Sequence, residues 1–212
     1  MLRKQHSSLV IDTLSDRTKK GSTAVAYVYC DFSAQNVQSA KTVLASVLRQ
    51  VVGALAQIPD EVQKAFEHAK TQVNGCELRL KGTLELLVLS LSRLQEGFIC
   101  IDALDEFPAN RRVELWESLQ LVIRQCPNCR LFLTGRLQIS IEVENYFPEH
   151  ADMIIITPAL NDIKRYVEKR LKEGINFNAM NNELRAEILG VIPERISGMY
   201  VLSRRVEFHR LG

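Results

Sequence analysis

Apolar residues in this chain fall into short runs that alternate with helically spaced rows. Strand-like runs rich in β-branched and aromatic residues lie at 23–30, 98–101, 130–134 and 153–157. Between them, apolar positions recur at steps of three and four residues, which is typical of helices with one buried side. This spacing predicts helices at 7–18, 39–55, 59–72 and 82–94, and a further one from Asn110 to the stop at Pro127.

Regular alternation of strands and helices favours an α/β fold, a parallel sheet with helices on both faces. After Pro158 the pattern becomes helical throughout, with helices expected at 161–174, 182–192 and 199–209. Pro193 and Gly198 are expected to separate the last two. We therefore expect an α/β domain over residues 1–158 and a helical extension over residues 159–212.

Composition excludes several classes of protein. The chain has 212 residues, 46% of them hydrophobic, which is enough for a sizeable core. Its 27 basic and 25 acidic residues are interspersed and give a net charge of +2, so nothing calls for nucleic acid or a membrane surface as a partner. The N-terminus lacks the pattern of a signal peptide, and the five cysteines fit reduced thiols. We expect a cytoplasmic protein.

Candidate chemistry lies where the buried run Phe98–Ile101 meets Asp102, Asp105 and Glu106. In open α/β sheets, ligands bind beyond the carboxyl ends of the strands, and carboxylates there commonly hold Mg²⁺ on a phosphate ester. The alternative is a solvated acidic turn that follows a strand.

The acidic motif, followed by a strand ending in Leu133-Thr134-Gly135-Arg136 and an Asp-Ile-x-x-Tyr helix after Pro158, resembles the NACHT-type NTPases of the signal-transducing ATPase class. The likeness covers nearly the whole chain. It looks closest to the nephrocystin-3-like N-terminal modules of large fungal repeat proteins.

The resemblance implies a role for each motif residue. Asp102 matches the Walker B aspartate that holds Mg²⁺, and Asp105 and Glu106 match the acidic pair that orients or deprotonates the attacking water. Arg136 matches the sensor of the γ-phosphate of ATP or GTP. Leu137 stands where the family commonly has proline. Arg136 could instead form a structural ion pair with one of the carboxylates.

The chain departs from the family at the phosphate-binding loop, because no Gly-x-x-x-x-Gly-Lys-Ser/Thr sequence occurs in it. The segment 7–14 looks like the helix that follows this loop, so the chain is expected to start just after it. In the family, the preceding strand lies between the strand ending at Arg136 and the strand at 153–157. We therefore expect a gap between these two strands, or their direct pairing, and weak binding of nucleotide.

Two functions remain open. The first is a degenerate or truncated NTPase module that acts in signalling or protein interaction, with little hydrolysis. The alternative is an active ATP- or GTP-binding oligomerisation switch, in a longer chain that carries the phosphate-binding loop. A zinc or redox role for Cys126-Pro127-Asn128-Cys129 has little support, since there is no second CxxC pair.

Overall fold

The computed structural model describes residues 2–18, 22–71, 78–148, 151–156, 159–173, 180–196 and 201–206. The described strands are β1 (Thr23–Tyr29), β2 (Glu96–Asp102), β3 (Cys129–Gly135), β4 (Ala151–Ile156) and β5 (Val201–Val206). The described helices are α1 (Leu2–Asp16), α2 (Ala40–Ala54), α3 (Asp60–Thr71), α4 (Leu80–Ser92), α5 (Ala109–Gln125), α6 (Ser140–Tyr146), α7 (Leu160–Glu173) and α8 (Asn182–Ile196).

The five strands form one sheet in the order β1-β2-β3-β5-β4. β1, β2 and β3 are parallel, and their carboxyl ends meet at one edge of the sheet. β5 is antiparallel to both β3 and β4, so β4 runs in the same direction as the first three strands. The expected α/β fold built on a parallel sheet is confirmed for β1 to β3.

The main core lies on one face of this sheet. Alternate residues of the parallel strands point to that face, where they pack against α2, α4 and α5. α2 begins as the sequence predicts, because Ser39 and Thr42 form a reciprocal capping box at its start. Its buried stripe packs on β1 and α4 and consists of Ala40, Val43, Leu44, Val47, Leu48 and Val51.

The opposite face of the sheet is covered in part by α1, which contacts β1 and β2. A cavity of about 420 Å³ separates α1 from the remaining surface, with Val10 and Leu14 of α1 on one side and Phe98 and Phe132 of the sheet on the other. Helices therefore lie on both faces, as the alternation of elements predicts.

The C-terminal part of the chain differs from the prediction in three ways. The helix expected over 199–209 is wrong for residues 201–206, which form β5. β5 lies between β3 and β4, so neither a gap nor direct pairing of these two strands is found. α8 continues through Pro193 to Ile196, whereas a stop was expected at this proline.

The reason for the wrong assignment of β5 is non-local. Residues 201–206 carry both branched apolar and long polar side chains, so their local pattern does not decide between helix and strand. Two strand edges are available to them, and backbone pairing to both edges decides the outcome. The division into domains at residues 158 and 159 stays a prediction, although β5 from the second segment is part of the sheet.

Smaller differences concern helix boundaries. α5 begins at Ala109 after Pro108, whereas Asn110 was expected to cap it. α4 begins at Leu80, two residues before the expected Gly82. α6 was not predicted, because its seven residues are too few to show a clear helical period.

Candidate functional site

The acidic motif lies on a tight turn at the carboxyl end of β2. Ala103 adopts the left-handed conformation, with φ 55° and ψ 44°, and a 3₁₀ turn follows over Leu104–Glu106. The side chains of Leu104 and Phe107 are completely buried and anchor this acidic turn in the core. The backbone therefore changes direction directly after Asp102. As a result, Asp105 and Glu106 lie beside the neighbouring strands and not in line with β2.

Asp102 is buried, and its carboxylate is held by Thr134 of the adjacent strand. The Thr134 hydroxyl donates a hydrogen bond to Oδ1 of Asp102 and accepts one from the backbone amide of Ala103 at 3.0 Å. The carbonyl of Asp102 accepts a hydrogen bond from the amide of Cys30 at 2.9 Å. These three bonds join the carboxyl ends of β1, β2 and β3.

Asp105 contacts Arg136, the residue that follows β3. Its Oδ1 atom accepts a hydrogen bond from the Arg136 backbone amide at 3.1 Å, and its Oδ2 atom lies 3.1 Å from Nε of the guanidinium group. The side chain of Asp105 is 6% exposed, whereas that of Arg136 is 52% exposed. The open possibility of a structural pair between Arg136 and a carboxylate is thus the arrangement found here.

Glu106 points the other way, towards the loop that follows β1. Its Oε2 atom accepts a hydrogen bond from the Phe32 amide at 3.2 Å, and its carbonyl accepts one from Nε2 of Gln35 at 3.2 Å. Within the same loop, Asp31 accepts bonds from the amide and the hydroxyl of Ser33. Adjacent carboxylates of the acidic turn therefore bind the loops of two different strands.

Two arginines at the start of α5 hold the surrounding backbone. Arg111 donates to the carbonyl of Gln38 at 2.9 Å. The buried Arg112 donates to the carbonyl of Phe107 at 3.1 Å and to Oε1 of Glu142 at 2.8 Å. α5 is thereby connected to the β1–α2 loop, to the acidic turn and to α6.

Glu142 also accepts a hydrogen bond from the indole of Trp116 at 2.8 Å. The Trp116 ring is completely buried and stacks on Tyr146, with ring centroids 5.9 Å apart. Because the Glu142 carboxylate binds both Arg112 and Trp116, α6 is fixed against α5 beside the candidate site. Sequence reasoning assigned no role to this group, because its members lie far apart along the chain.

The electrostatic field of the carboxylates reaches the thiol of Cys30, at the end of β1. Burial, together with the charges of Asp102, Glu106 and Asp105 and against a lowering by Arg112, raises the pKa of Cys30 to about 12. The thiol is therefore neutral at physiological pH and unsuited to nucleophilic chemistry.

The geometry of the acidic residues does not fit a dedicated magnesium centre. Asp105 is engaged by Arg136, and Glu106 is engaged by the β1–α2 loop. Within the described part of the chain, no three His, Cys, Asp or Glu side chains are grouped so that they could hold a metal ion. Asp102 remains as a single carboxylate at the strand end, and Mg²⁺ bound through one carboxylate needs its other ligands from phosphates and water.

The CxxC pair lies in the turn between α5 and β3, with both thiols buried. Burial raises the pKa of Cys126 to about 11 and also raises that of Cys129. The Cys126 thiol contacts the carbonyl of Val88 at 3.8 Å. High pKa values and burial are typical of structural cysteines.

The structure thus brings Asp102, Asp105, Glu106 and Arg136 to one edge of the sheet, where Asp105 forms an ion pair with Arg136. Thr134 was noted in the sequence as part of a motif, but its contact with Asp102 was missed. The parallel register could have indicated it, since Ile101 is opposite Leu133 and the next residue of each strand follows.

Among the described helices, none combines the length and the apolar character needed to cross a bilayer. A family model described as nephrocystin 3, N-terminal, matches residues 6–136 of the chain. Comparisons with curated proteins and with solved structures give no match. The matched range includes all four predicted site residues, and it ends at Arg136.

Proposed function

Because the chain belongs to the nephrocystin 3 N-terminal family, we propose that it is a NACHT-type module that acts in signalling through protein interaction, with little or no hydrolysis of nucleotide. In this proposal the Walker B-like carboxylates organise the loops at the carboxyl edge of the sheet. They do not act on a phosphate ester.

The observation that carries the proposal is the pairing of Asp105 with Arg136. A general base must be free to approach a water molecule, and a sensor arginine must be free to reach a phosphate. Here the carboxylate binds both the amide and the guanidinium group of the same arginine. The Asp105 carboxylate and the Arg136 guanidinium group are therefore each other's binding partners.

The surface around the acidic turn supports an interaction role. Phe32 is 72% exposed and lies on the loop that Glu106 binds. Leu137 and Ile141 are also exposed, on the segment that follows Arg136. Exposed apolar side chains on segments next to a polar centre are found at protein interaction sites.

One observation favours the alternative, a nucleotide-dependent oligomerisation switch. Asp102 lies at the carboxyl end of a parallel strand, which is the usual position of ligand sites in such sheets. The Arg136 side chain is half exposed and could exchange Asp105 for a phosphate. In this reading, Mg²⁺ with ATP or GTP would be held by Asp102 and Arg136.

Titration with fluorescent ATP and GTP analogues, with and without Mg²⁺, separates the two functions. The interaction module is expected to show no saturable binding up to about 1 mM nucleotide, the upper end of usual substrate affinities. Asp102→Ala is the test variant, and Asp60→Ala, an exposed acidic residue on α3, is the matched control. Circular dichroism establishes that each protein is folded.

Micromolar binding that requires Mg²⁺ and is lost in Asp102→Ala, but not in Asp60→Ala, would overturn the proposal in favour of the switch. Binding that is equal in both variants and independent of Mg²⁺ would place the nucleotide elsewhere, and would leave the acidic turn without a catalytic role. The second result is compatible with the interaction module.

A further inference from the structure

A cavity of about 490 Å³ lies between α2, α3 and α4, and none of the four candidate site residues lines it. Much of its apolar wall comes from Leu48 and Val52 of α2, Phe66 of α3 and Leu86 of α4. Small-molecule sites usually have volumes of about 300–1,000 Å³ and mainly apolar walls. The cavity therefore has the size and the lining of a binding site.

α3 forms one wall of this cavity without being packed into the core. Val62 and Phe66 line the cavity, yet the side chain of Phe66 is 60% exposed. Among the residues of α3 whose burial the structure describes, none is completely buried. Glu61 forms an ion pair with Arg93 at the end of α4, at 3.7 Å, and exposed pairs of this kind contribute little to stability. α3 therefore leaves apolar surface of α2 and α4 uncovered.

The uncharged polar side chains of the cavity are already hydrogen-bonded within the protein. The hydroxyl groups of Thr42 and Thr83 donate to backbone carbonyls at the starts of α2 and α4, at 2.9 and 3.3 Å. The side-chain amide of Gln63 donates to Glu67 on the next turn of α3, at 2.9 Å. A ligand rich in polar groups would find few partners here, so the walls favour a ligand with an apolar body.

The charges of the cavity have one sign. Its charged lining residues are Lys41 and Arg49, both on α2, and no carboxylate of the described residues lines it. The side chain of Arg49 is exposed and makes no ion pair within the described part of the chain. A ligand that carries one anionic group at the end of an apolar body would complement both the walls and the charge.

The volume distinguishes two classes of anionic amphipathic ligand. A helix with its side chains is about 10–12 Å in diameter, so a volume of 490 Å³ holds about one turn of it. An acidic peptide helix would therefore have too little room to place several apolar anchors. An extended hydrocarbon chain is narrower, and it has no polar backbone groups that need partners.

We propose that this cavity binds a free long-chain carboxylic acid. The hydrocarbon chain lies between α2, α3 and α4, and the carboxylate binds Arg49. Binding covers the exposed side of Phe66 and fills the space that separates α3 from its neighbours. This inference does not depend on the function proposed above, because Asp102, Asp105, Glu106 and Arg136 take no part in it.

Titration of the full chain with cis-parinaric acid tests the proposal, because the fluorescence of this fatty acid rises in apolar surroundings. Its methyl ester has the same hydrocarbon chain without the charge. We expect saturable, micromolar binding of the acid. The ester should bind about fivefold more weakly, which corresponds to the loss of one exposed ion pair.

Two substitutions at exposed positions locate the ligand. Arg49→Gln should weaken binding of the acid about fivefold and leave the ester unaffected, so that the preference for the acid disappears. Ala45→Phe places a ring in the cavity and should abolish binding of both ligands. The matched controls are Arg124→Gln on α5 and Ala186→Phe on α8, exposed residues that do not line the cavity.

Unchanged binding in Ala45→Phe would place the ligand elsewhere and overturn the proposal. Equal affinities for acid and ester in the natural chain, or a preference for the acid that persists in Arg49→Gln, would also overturn it, because the carboxylate would then not bind Arg49. No saturable binding to the folded natural chain would have the same consequence and would leave the cavity to another class of ligand, such as a peptide. Circular dichroism establishes that each variant is folded.

Discussion

Asp105 and Arg136 make two contacts with each other: the Arg136 amide donates to one carboxylate oxygen, and the guanidinium group lies 3.1 Å from the other. The carboxylate is buried and the guanidinium group is half exposed. The pair connects the acidic turn to the segment after β3. The side chains of Asp105 and Arg136 should therefore contribute unequally to the free energy of unfolding.

Replacement of Asp105 by alanine should lower the free energy of unfolding by about 2 kcal/mol, because the backbone amide of Arg136 loses its partner together with the ion pair. Arg136→Ala keeps the amide bond to Asp105, so its expected cost is smaller, about 1 kcal/mol. Urea denaturation at neutral pH measures both changes.

The control for this prediction is Glu85→Ala, which removes the exposed pair of Lys81 and Glu85 on α4. A change within about 0.5 kcal/mol is expected there. If Asp105→Ala and Arg136→Ala cost the same, the bond from the backbone amide contributes nothing and the predicted asymmetry is wrong.

Thr134→Val should destabilise the protein by about 1–3 kcal/mol, because the amide of Ala103 and the carboxylate of Asp102 both lose their hydroxyl partner in a buried place. Thr134→Ser keeps the hydroxyl group and should cost less. Thermal unfolding of the two variants provides the comparison. A loss in Thr134→Ser as large as that in Thr134→Val would contradict the hydroxyl group as the main contribution of Thr134 at this position.

Gly135→Ala should be unfavourable, since a Cβ atom at this position would collide with Cδ1 of Ile139. Ile139 is buried, so the expected cost of overpacking is about 1–3 kcal/mol. Ile139→Val removes the conflicting methyl group. In a double-mutant cycle, the second substitution should therefore cost less in the Gly135→Ala background than in the natural chain.

If the changes in the free energy of unfolding for Gly135→Ala and Ile139→Val are strictly additive, the contact between the added Cβ atom and Ile139 is not the source of the lost stability. Asp105 would then be the next group to examine, because its Oδ1 atom would lie 3.4 Å from the added Cβ.

Stability should fall as the solution becomes alkaline. Burial raises the pKa of Cys30 and of Cys100 to about 12, from a usual value of 9.0. Below pH 9 both thiols are protonated in the folded and unfolded chain, and their contribution to stability is fully present. Between pH 9 and pH 12 the unfolded chain loses these protons first, so the contribution is progressively lost.

The measurement is the urea midpoint at intervals between pH 8 and pH 11. Cys100→Ala is the comparison variant, and its midpoint should fall less steeply above pH 9. A parallel decline in both proteins would assign the alkaline loss to other groups. At pH 8, Ellman's reagent should modify Cys30 and Cys100 slowly in the folded chain and rapidly in urea.

Local sequence signals predicted the first half of the fold well. The run from Thr23 and the capping serine at Ser39 each mark an element that the structure contains. The buried run Phe98–Ile101 likewise became β2. These signals depend on neighbouring residues or on a regular period, which a sequence displays directly.

The parts that could not be predicted depend on distant pairing. Residues 201–206 became a strand because β3 and β4 pair with them. The local sequence pattern of these residues does not indicate this pairing. The candidate site follows the same rule. Its acidic residues were found from the strand end, whereas their partners Thr134 and Phe32 are supplied by other strands and loops.

The central position of β5 also affects the order in which the protein folds during its synthesis. β1, β2 and β3 can pair as soon as residue 135 has left the ribosome, but β4 gains its partner after β5 has been made. Through this interval of about seventy residues, the edge of β3 is unpaired. The nascent chain is therefore most prone to aggregation and to chaperone binding while residues 136–206 are being made.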